Sequence, residues 1–156
     1  MKHGLILILI LAGLLSCSTL QICDDDNQSY LQARFRTLVD GEIKDTTLSG
    51  LDIYILREGW LPGLLYDSTE ANKILLPLDP NNEQSRFLLS MGEETDTLVI
   101  RHSSEIYLIS YECGFAARFT LEDPESSQNM ITNIDIIASQ VDGSYEIDEE
   151  HLWIYF

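Results

Sequence analysis

From residue 30 to the end of the chain, apolar and polar positions alternate in short runs broken by turn-forming residues. Residues 30–39 (YLQARFRTLV) put Leu31, Ala33 and Phe35 at period two, with Gln32, Arg34 and Arg36 between them. That is the pattern of a strand with one buried face. Residues 51–56 (LDIYIL) repeat it, with Leu51, Ile53 and Ile55 set against Asp52 and Tyr54. Further strands are predicted at 73–78, 86–90, 97–101 (TLVIR), 105–111 (EIYLISY), 115–121, 131–140 (ITNIDIIASQ) and 151–156 (HLWIYF). Asp40-Gly41, Ser49-Gly50 and the run Asp79-Pro80-Asn81-Asn82-Glu83 supply turn chemistry. Residues 58–72 and 122–129 are expected to be loops, and His102-Ser103-Ser104 a hairpin turn. No stretch sustains a 3.6-residue period; residues 70–76 have room for one helical turn, which Pro77 limits. The expectation is a single antiparallel β-sandwich of about eight short strands over residues 30–156. An outer-membrane barrel, suggested by the terminal Phe156, fits less well, because its strands need roughly 10 residues each.

The start of the chain follows a different pattern. Residues 4–15 (GLILILILAGLL) are apolar without a break after the basic start Met1-Lys2-His3. A spanning helix needs roughly 20 apolar residues, so this run suits the apolar region of a signal peptide. It ends in Leu14-Leu15-Ser16-Cys17, which resembles a bacterial lipobox. The resemblance implies cleavage before Cys17, a diacylglycerol thioether on its sulfur and an acylated (palmitate-type) new amine. Several acyl chains on one residue suffice for stable anchoring. Residues 1–16 are thus expected to be a lipoprotein signal peptide, and residues 17–29 the lipidated cysteine with a short acidic tether. Acids close behind the lipidated cysteine resemble a surface-export signal, but here they begin only at Asp24. The sequence therefore leaves open whether the domain faces the periplasm or the cell surface.

Charge narrows the partners. The full chain has a formal charge of −17; removing residues 1–16 takes away one Lys and no acid, leaving 8 Lys and Arg against 26 Asp and Glu, or −18. Such a chain is ill suited to nucleic acid or anionic lipid surfaces. Acid that keeps an envelope domain soluble is the plainer reading. With Cys17 lipidated, Cys23 and Cys113 remain. In an exported chain they are expected to pair, closing a loop of about 90 residues and contributing roughly 4 kcal/mol in the chain-entropy view. Two separate buried thiols are the alternative.

Cys23, the strand Leu76-Pro77-Leu78, the pair Cys113-Gly114 and the ending His151-Leu152-Trp153-Ile154-Tyr155 occur in an order that resembles a family of small uncharacterised lipoproteins of Bacteroidota-type bacteria, classed as a domain of unknown function. The resemblance covers nearly the whole chain after the signal peptide. It implies an exported β-rich lipoprotein and no reaction. The segment from Trp60 to Tyr66 departs from it in being more hydrophobic than expected for that loop.

Each candidate site has a plainer counterpart. Asp24, Asp25, Asp26 and Asn27 offer oxygen ligands, but without the glycine and distal glutamate of an EF-hand they read as a solvated linker. The cluster Asp142, Glu146, Asp148, Glu149 and Glu150 is read the same way. Cys23, Cys113, His102 and His151 make a zinc set on paper, but no two have close ligand spacing and paired cysteines cannot ligate. No metal or cofactor is expected. His102-Ser103-Ser104-Glu105 brings hydrolase residues together only in sequence, with no Gly-x-Ser-x-Gly elbow; no enzyme activity is expected. Trp60, Leu61, Leu64, Leu65 and Tyr66 surround Pro62-Gly63. This loop is expected to fold back and cap one end of the sandwich, or else to form a patch for a partner. Tyr107 and Tyr111 read as core or sheet surface rather than a sugar platform. The expected role is a lipid-anchored outer-membrane lipoprotein, non-enzymatic, structural or binding another envelope protein. A small-ligand or glycan-binding surface lipoprotein is the alternative.

Overall fold

The computed structural model describes residues 29–142 and 149–156. The expected signal peptide at residues 1–16, Cys17, Cys23, Asp24 to Asn27, and Glu146 and Asp148 of the second acidic cluster lie outside them. The described residues form two sheets that pack together as a β-sandwich. The strands are β1 (Tyr30–Val39), β2 (Glu42–Asp45), β3 (Leu48–Leu56), β4 (Gly63–Ala71), β5 (Lys73–Pro77), β6 (Gln84–Met91), β7 (Glu94–Ser110), β8 (Gly114–Ser126), β9 (Asn133–Ile136), β10 (Gln140–Val141) and β11 (Leu152–Tyr155). The first sheet runs β2-β1-β11-β9, with β5 also on β1; the second runs β10-β8-β7-β6-β3-β4.

The period-two positions point inward as expected. Leu31, Ala33 and Phe35 of β1 are fully buried, with Ile74 and Leu76 of β5 and Leu152 and Ile154 of β11 beside them. From the second sheet Leu51, Ile53, Phe87, Leu89, Leu98, Ile100 and Phe119 complete one continuous core. On the outward face of β1, Arg34 and Arg36 both pair with Asp45 and with Glu150, and the Arg36 guanidinium lies 4.2 Å from the Trp153 ring centre.

Several local expectations are corrected. There are eleven strands among the described residues, and two are long: β7 has 17 residues and β8 has 13. His102 to Ser104 lie inside β7 and make no turn; serine and histidine carry no positive-φ demand that would break a strand. Residues 122–126 extend β8, because Glu125 and Ser126 still pair with Val99 and Leu98 across the hairpin. Most of the long loop at 58–72 is β4, whose apolar Leu65 packs on the core. Ser49-Gly50 is not a turn. Gly50, at φ +68°, sits where β3 shifts register against β4 between Leu48 and Leu51, which is a bulge inside the strand. Asp40-Gly41 does turn the chain, with φ +55° and +81° and pairing of Val39 with Glu42, as a tight two-residue hairpin requires. The strand expected over 131–140 is divided into β9 and β10, which join different sheets. The sandwich is also not wholly antiparallel. β11 runs parallel to β1, Ala33 opposite Leu152 through Arg36 opposite Tyr155. The intervening second sheet is the long crossover that a parallel pair needs.

Candidate functional site

One end of the sandwich carries an open groove of about 990 Å³. The β3–β4 loop, the β5–β6 connection and the β7–β8 hairpin meet there, next to the start of β1. The hairpin reaches the groove because β6 stops pairing with β7 at Arg101, while β7 and β8 continue together from there to Ser110 and Gly114. Ile106 and Phe115 on that extension are 62% and 65% exposed, and Tyr111 at its tip is 95% exposed.

The opposite wall comes from the Trp60 segment, which the structure divides. Trp60 N–H donates to Arg57 O at 3.2 Å, in a turn where Gly59 adopts φ +77°, and this throws Trp60 outward. Trp60, Leu61 and Leu64 are 79%, 91% and 51% exposed. Leu65 and Tyr66 pack against the core. Tyr66 Oη accepts from Leu75 N–H at 2.8 Å and donates to Leu75 C=O at 3.2 Å, so the phenol closes the outer edge of β5 in place of a strand. Half of the segment therefore caps the sandwich end, and half projects past it. The division follows the chain's entry into β4: Trp60 and Leu61 precede the strand, and Leu65 and Tyr66 lie within it, which a loop reading misses.

Asp79 forms the polar floor of the groove. Its carboxylate accepts from Asn81 N–H at 3.0 Å and from Asn82 Nδ2 at 2.9 Å. Burial pushes its pKa up, but these hydrogen bonds and the nearby Arg57 outweigh burial and hold it below the usual value. Behind it, Ser85 Oγ accepts from Asp79 N–H at 2.9 Å and lies 2.9 Å from His102 Nε2. His102 packs edge-on to Phe119, ring centres 5.0 Å apart. This buried pair was not legible in the sequence, where Ser103 and Ser104 were the obvious neighbours and Ser85 lay 17 positions away. It is not a hydrolytic triad. Among the described residues, Nδ1 of His102 has no hydrogen-bond partner where a triad places its carboxylate, and Ser85 and His102 are only 3% and 2% exposed. Their geometry instead clasps the β5–β6 connection to β7, reinforced by His102 N–H donating to Glu83 O at 3.0 Å.

His151 serves the other sheet. Its Nδ1 accepts from Gln32 N–H at 3.0 Å, and its own N–H donates to Gln32 O at 2.9 Å. His102 and His151 thus have separate partners. Among the described residues no group of three or more His, Cys, Asp or Glu is placed to hold a metal ion. Of the second acidic cluster, Glu150 is taken up by Arg34, Arg36 and Trp153 Nε1. Cys113, 9% exposed, accompanies the hairpin tip, its N–H donating to Ser110 Oγ at 3.0 Å.

Burial lowers the pKa of both histidines. Asp79 and Glu122 offset this in part at His102; Glu149, Asp142 and a hydrogen bond to the Gln140 backbone do so at His151. The unfolded chain therefore takes up these protons first. The stability that the neutral rings contribute is complete above the unfolded pKa of about 6.5 and falls as pH drops below it. Each tenfold difference in proton affinity between the unfolded and folded chain corresponds to about 1.4 kcal/mol. Urea midpoints are expected to fall between pH 7.5 and 5. The double variant His102→Gln, His151→Asn, whose amides can replace Nε2 and Nδ1, should show a flatter profile over that window. An unchanged profile would assign the acid sensitivity to other groups.

A family model described as a family of unknown function matches residues 62–156, taking in β5 with Leu76 and Pro77, Cys113-Gly114 and the terminal strand, but not Cys17 or Cys23. No curated protein and no solved structure matches the chain. With the match covering well over half of its length, the chain belongs to that family of unknown function, DUF6452.

Proposed function

We propose that this chain is an exported lipoprotein, held at the outer membrane by acyl chains on Cys17 and crosslinked between Cys23 and Cys113. In this reading it works without catalysis, as a module that binds another envelope protein through its end groove. The observation that carries the binding role is the apolar rim: Trp60, Ile106 and Phe115, all well exposed, face one open groove. Large exposed apolar side chains gathered around a concavity are what a partner's buried anchors need. The apolar run at residues 4–15 and Ser16-Cys17 support the anchor.

A second reading, capture of a glycan or other small ligand at the cell surface, draws on one feature of the same groove. Trp60 shares it with the polar Arg57 and Asn81, an arrangement that suits a sugar ring stacked on the indole.

The test compares the natural chain with Trp60→Ala, Leu64→Ala and with Cys17→Ala. Both side chains are exposed, Trp60 on the groove and Leu64 beside it, so the double variant should keep its stability in urea to within about 0.5 kcal/mol. It should also lose a protein that co-purifies from detergent-solubilised envelopes, by tenfold or more. Retention on a polysaccharide column that disappears with Trp60 would favour the glycan reading. Cys17→Ala should leave the protein soluble or unprocessed; a variant still membrane-bound at normal mass would overturn the anchor.

A further inference from the structure

A second, smaller cavity of about 370 Å³ adjoins the groove across Arg57 and Asp79, which line both. One wall is the end of β3 with Arg57 and Glu58 after it; the other is the start of β6 with Asn82 before it. Every residue that lines it is among the described ones. Its volume is near the low end of the roughly 300–1,000 Å³ of small-ligand sites. Arg86 of β6 stands opposite Leu56 of β3, and Arg57 follows Leu56, so the two arginines leave the backbone roughly 6 Å apart.

The charge on this cavity is unusual for the chain. Acids outnumber bases 26 to 9, so a cation ordinarily finds a carboxylate. Arg34, Arg36, Lys44 and Arg101 do so, and Arg118 lies over the Tyr107 ring, 5.1 Å from its centre. Among the described residues, Arg57 and Arg86 make no ion pair, although Glu58 and Asp79 share their cavity. Asp79 is held by Asn81 N–H and Asn82 Nδ2 instead. Two guanidinium groups side by side repel each other until an anion joins them, and their forked donors suit a carboxylate. The two acids repel a dianion such as phosphate about twice as strongly as a monoanion, because Coulomb energy scales with charge. The same acids are acceptors only, and their spare lone pairs suit hydroxyl donors.

We propose that this cavity binds a polyhydroxy monocarboxylate of the uronic acid class. Arg57 and Arg86 hold its carboxylate, Asp79 and Glu58 accept from its hydroxyls, and the exposed Gln84 amide can serve either group. This deepens the glycan reading above and rests on it for one point, that an attached sugar continues past Arg57 toward Trp60. Neither half of the ligand suffices alone: a neutral sugar leaves the arginines unpaired, and a bare carboxylate leaves the two acids without donors.

The test titrates the purified whole chain with galacturonate and follows backbone amide resonances. Those of Arg57, Asn82, Gln84 and Arg86 should shift saturably, with galactose, acetate and inorganic phosphate each at least tenfold weaker. Arg57→Gln and Arg86→Gln should each weaken galacturonate at least tenfold while stability in urea is unchanged, since both side chains are exposed. Arg86→Lys, which keeps the charge without the fork, should lose less than Arg86→Gln. Galacturonate binding that both glutamine variants leave intact overturns the site. Acetate or phosphate binding as well as galacturonate makes it a general anion site and overturns the ligand class. Neutral polysaccharide retained through Trp60 while galacturonate fails to bind overturns this proposal and leaves the glycan reading standing. Galacturonate held by both arginines, with no polysaccharide retained, supports the cavity and sinks the wider glycan reading.

Discussion

Replacing Asp96 with alanine is expected to cost about 3–5 kcal/mol of stability, read as a fall in urea midpoint at unchanged slope. Asp96 is completely buried in β7. Its carboxylate accepts from Met130 N–H at 2.6 Å, Ile131 N–H at 2.7 Å, Asn129 N–H at 3.0 Å and the Ser127 hydroxyl. Those donors belong to the loop that carries the chain from β8 toward β9, so one side chain holds the crossing from the second sheet to the first. Alanine strips the partner from three backbone donors at once, and each buried unpaired donor costs about 1–3 kcal/mol, reduced where water enters. Against a typical total of about 5–15 kcal/mol, that is enough to leave a sizeable unfolded fraction. Burial raises the Asp96 pKa, but the hydrogen bonds from Asn129, Ser127, Ile131 and Met130 outweigh it and hold the group below its ordinary 3.8. The stabilisation is thus present above the unfolded pKa and is lost as pH falls through the lower folded value. Asp96→Asn keeps one acceptor oxygen and should fall between wild type and alanine, without this part of the acid sensitivity. A midpoint unchanged in Asp96→Ala would mean the loop is held by other contacts.

Phe35→Ala is expected to cost a similar amount, about 3–5 kcal/mol, by leaving a cavity where two sheets meet. The ring is fully buried and packs edge-on to Phe156, centres 5.4 Å apart. The backbone of the same residue is also a junction. Phe35 N–H donates to Asn72 O at 2.9 Å, its C=O accepts from Thr46 N–H at 3.1 Å, and it stands opposite Ile154 of β11. A collapse around the missing ring would disturb β2, β5 and β11 together. Phe35→Leu, nearer in volume, should lose less than about 1.5 kcal/mol. A Phe35→Ala loss no larger than that of Phe35→Leu would show that the core closes over the gap.

Much of the fold was legible in the chain. Leu31, Ala33 and Phe35 announced their face of β1, and Asp40-Gly41 announced its turn, because strand alternation and positive φ are local demands. Trp60 to Tyr66 stood out in the sequence by their hydrophobicity alone, and their division into exposed and packed halves depends on a β4 strand that the composition hid. Ile106 and Phe115, which complete the groove, carried no signal. They look like ordinary strand residues, and only the length of the β7–β8 hairpin beyond β6 exposes them. Ser85 and Asp96 were missed for the same reason: the partners of a buried polar group are chosen by sheet packing, not by spacing along the chain.

By itself, then, the amino-acid order determined an apolar run before Cys17, a strongly acidic chain and a β-sandwich, since hydropathy, charge and period-two alternation are properties of neighbouring residues. The tertiary structure decided that β11 lies parallel to β1, that His102 is clasped by Ser85 instead of exposed on a turn, and that three separate segments converge on one groove. Those outcomes depend on hydrogen bonds and packing between residues tens of positions apart, which no local pattern encodes.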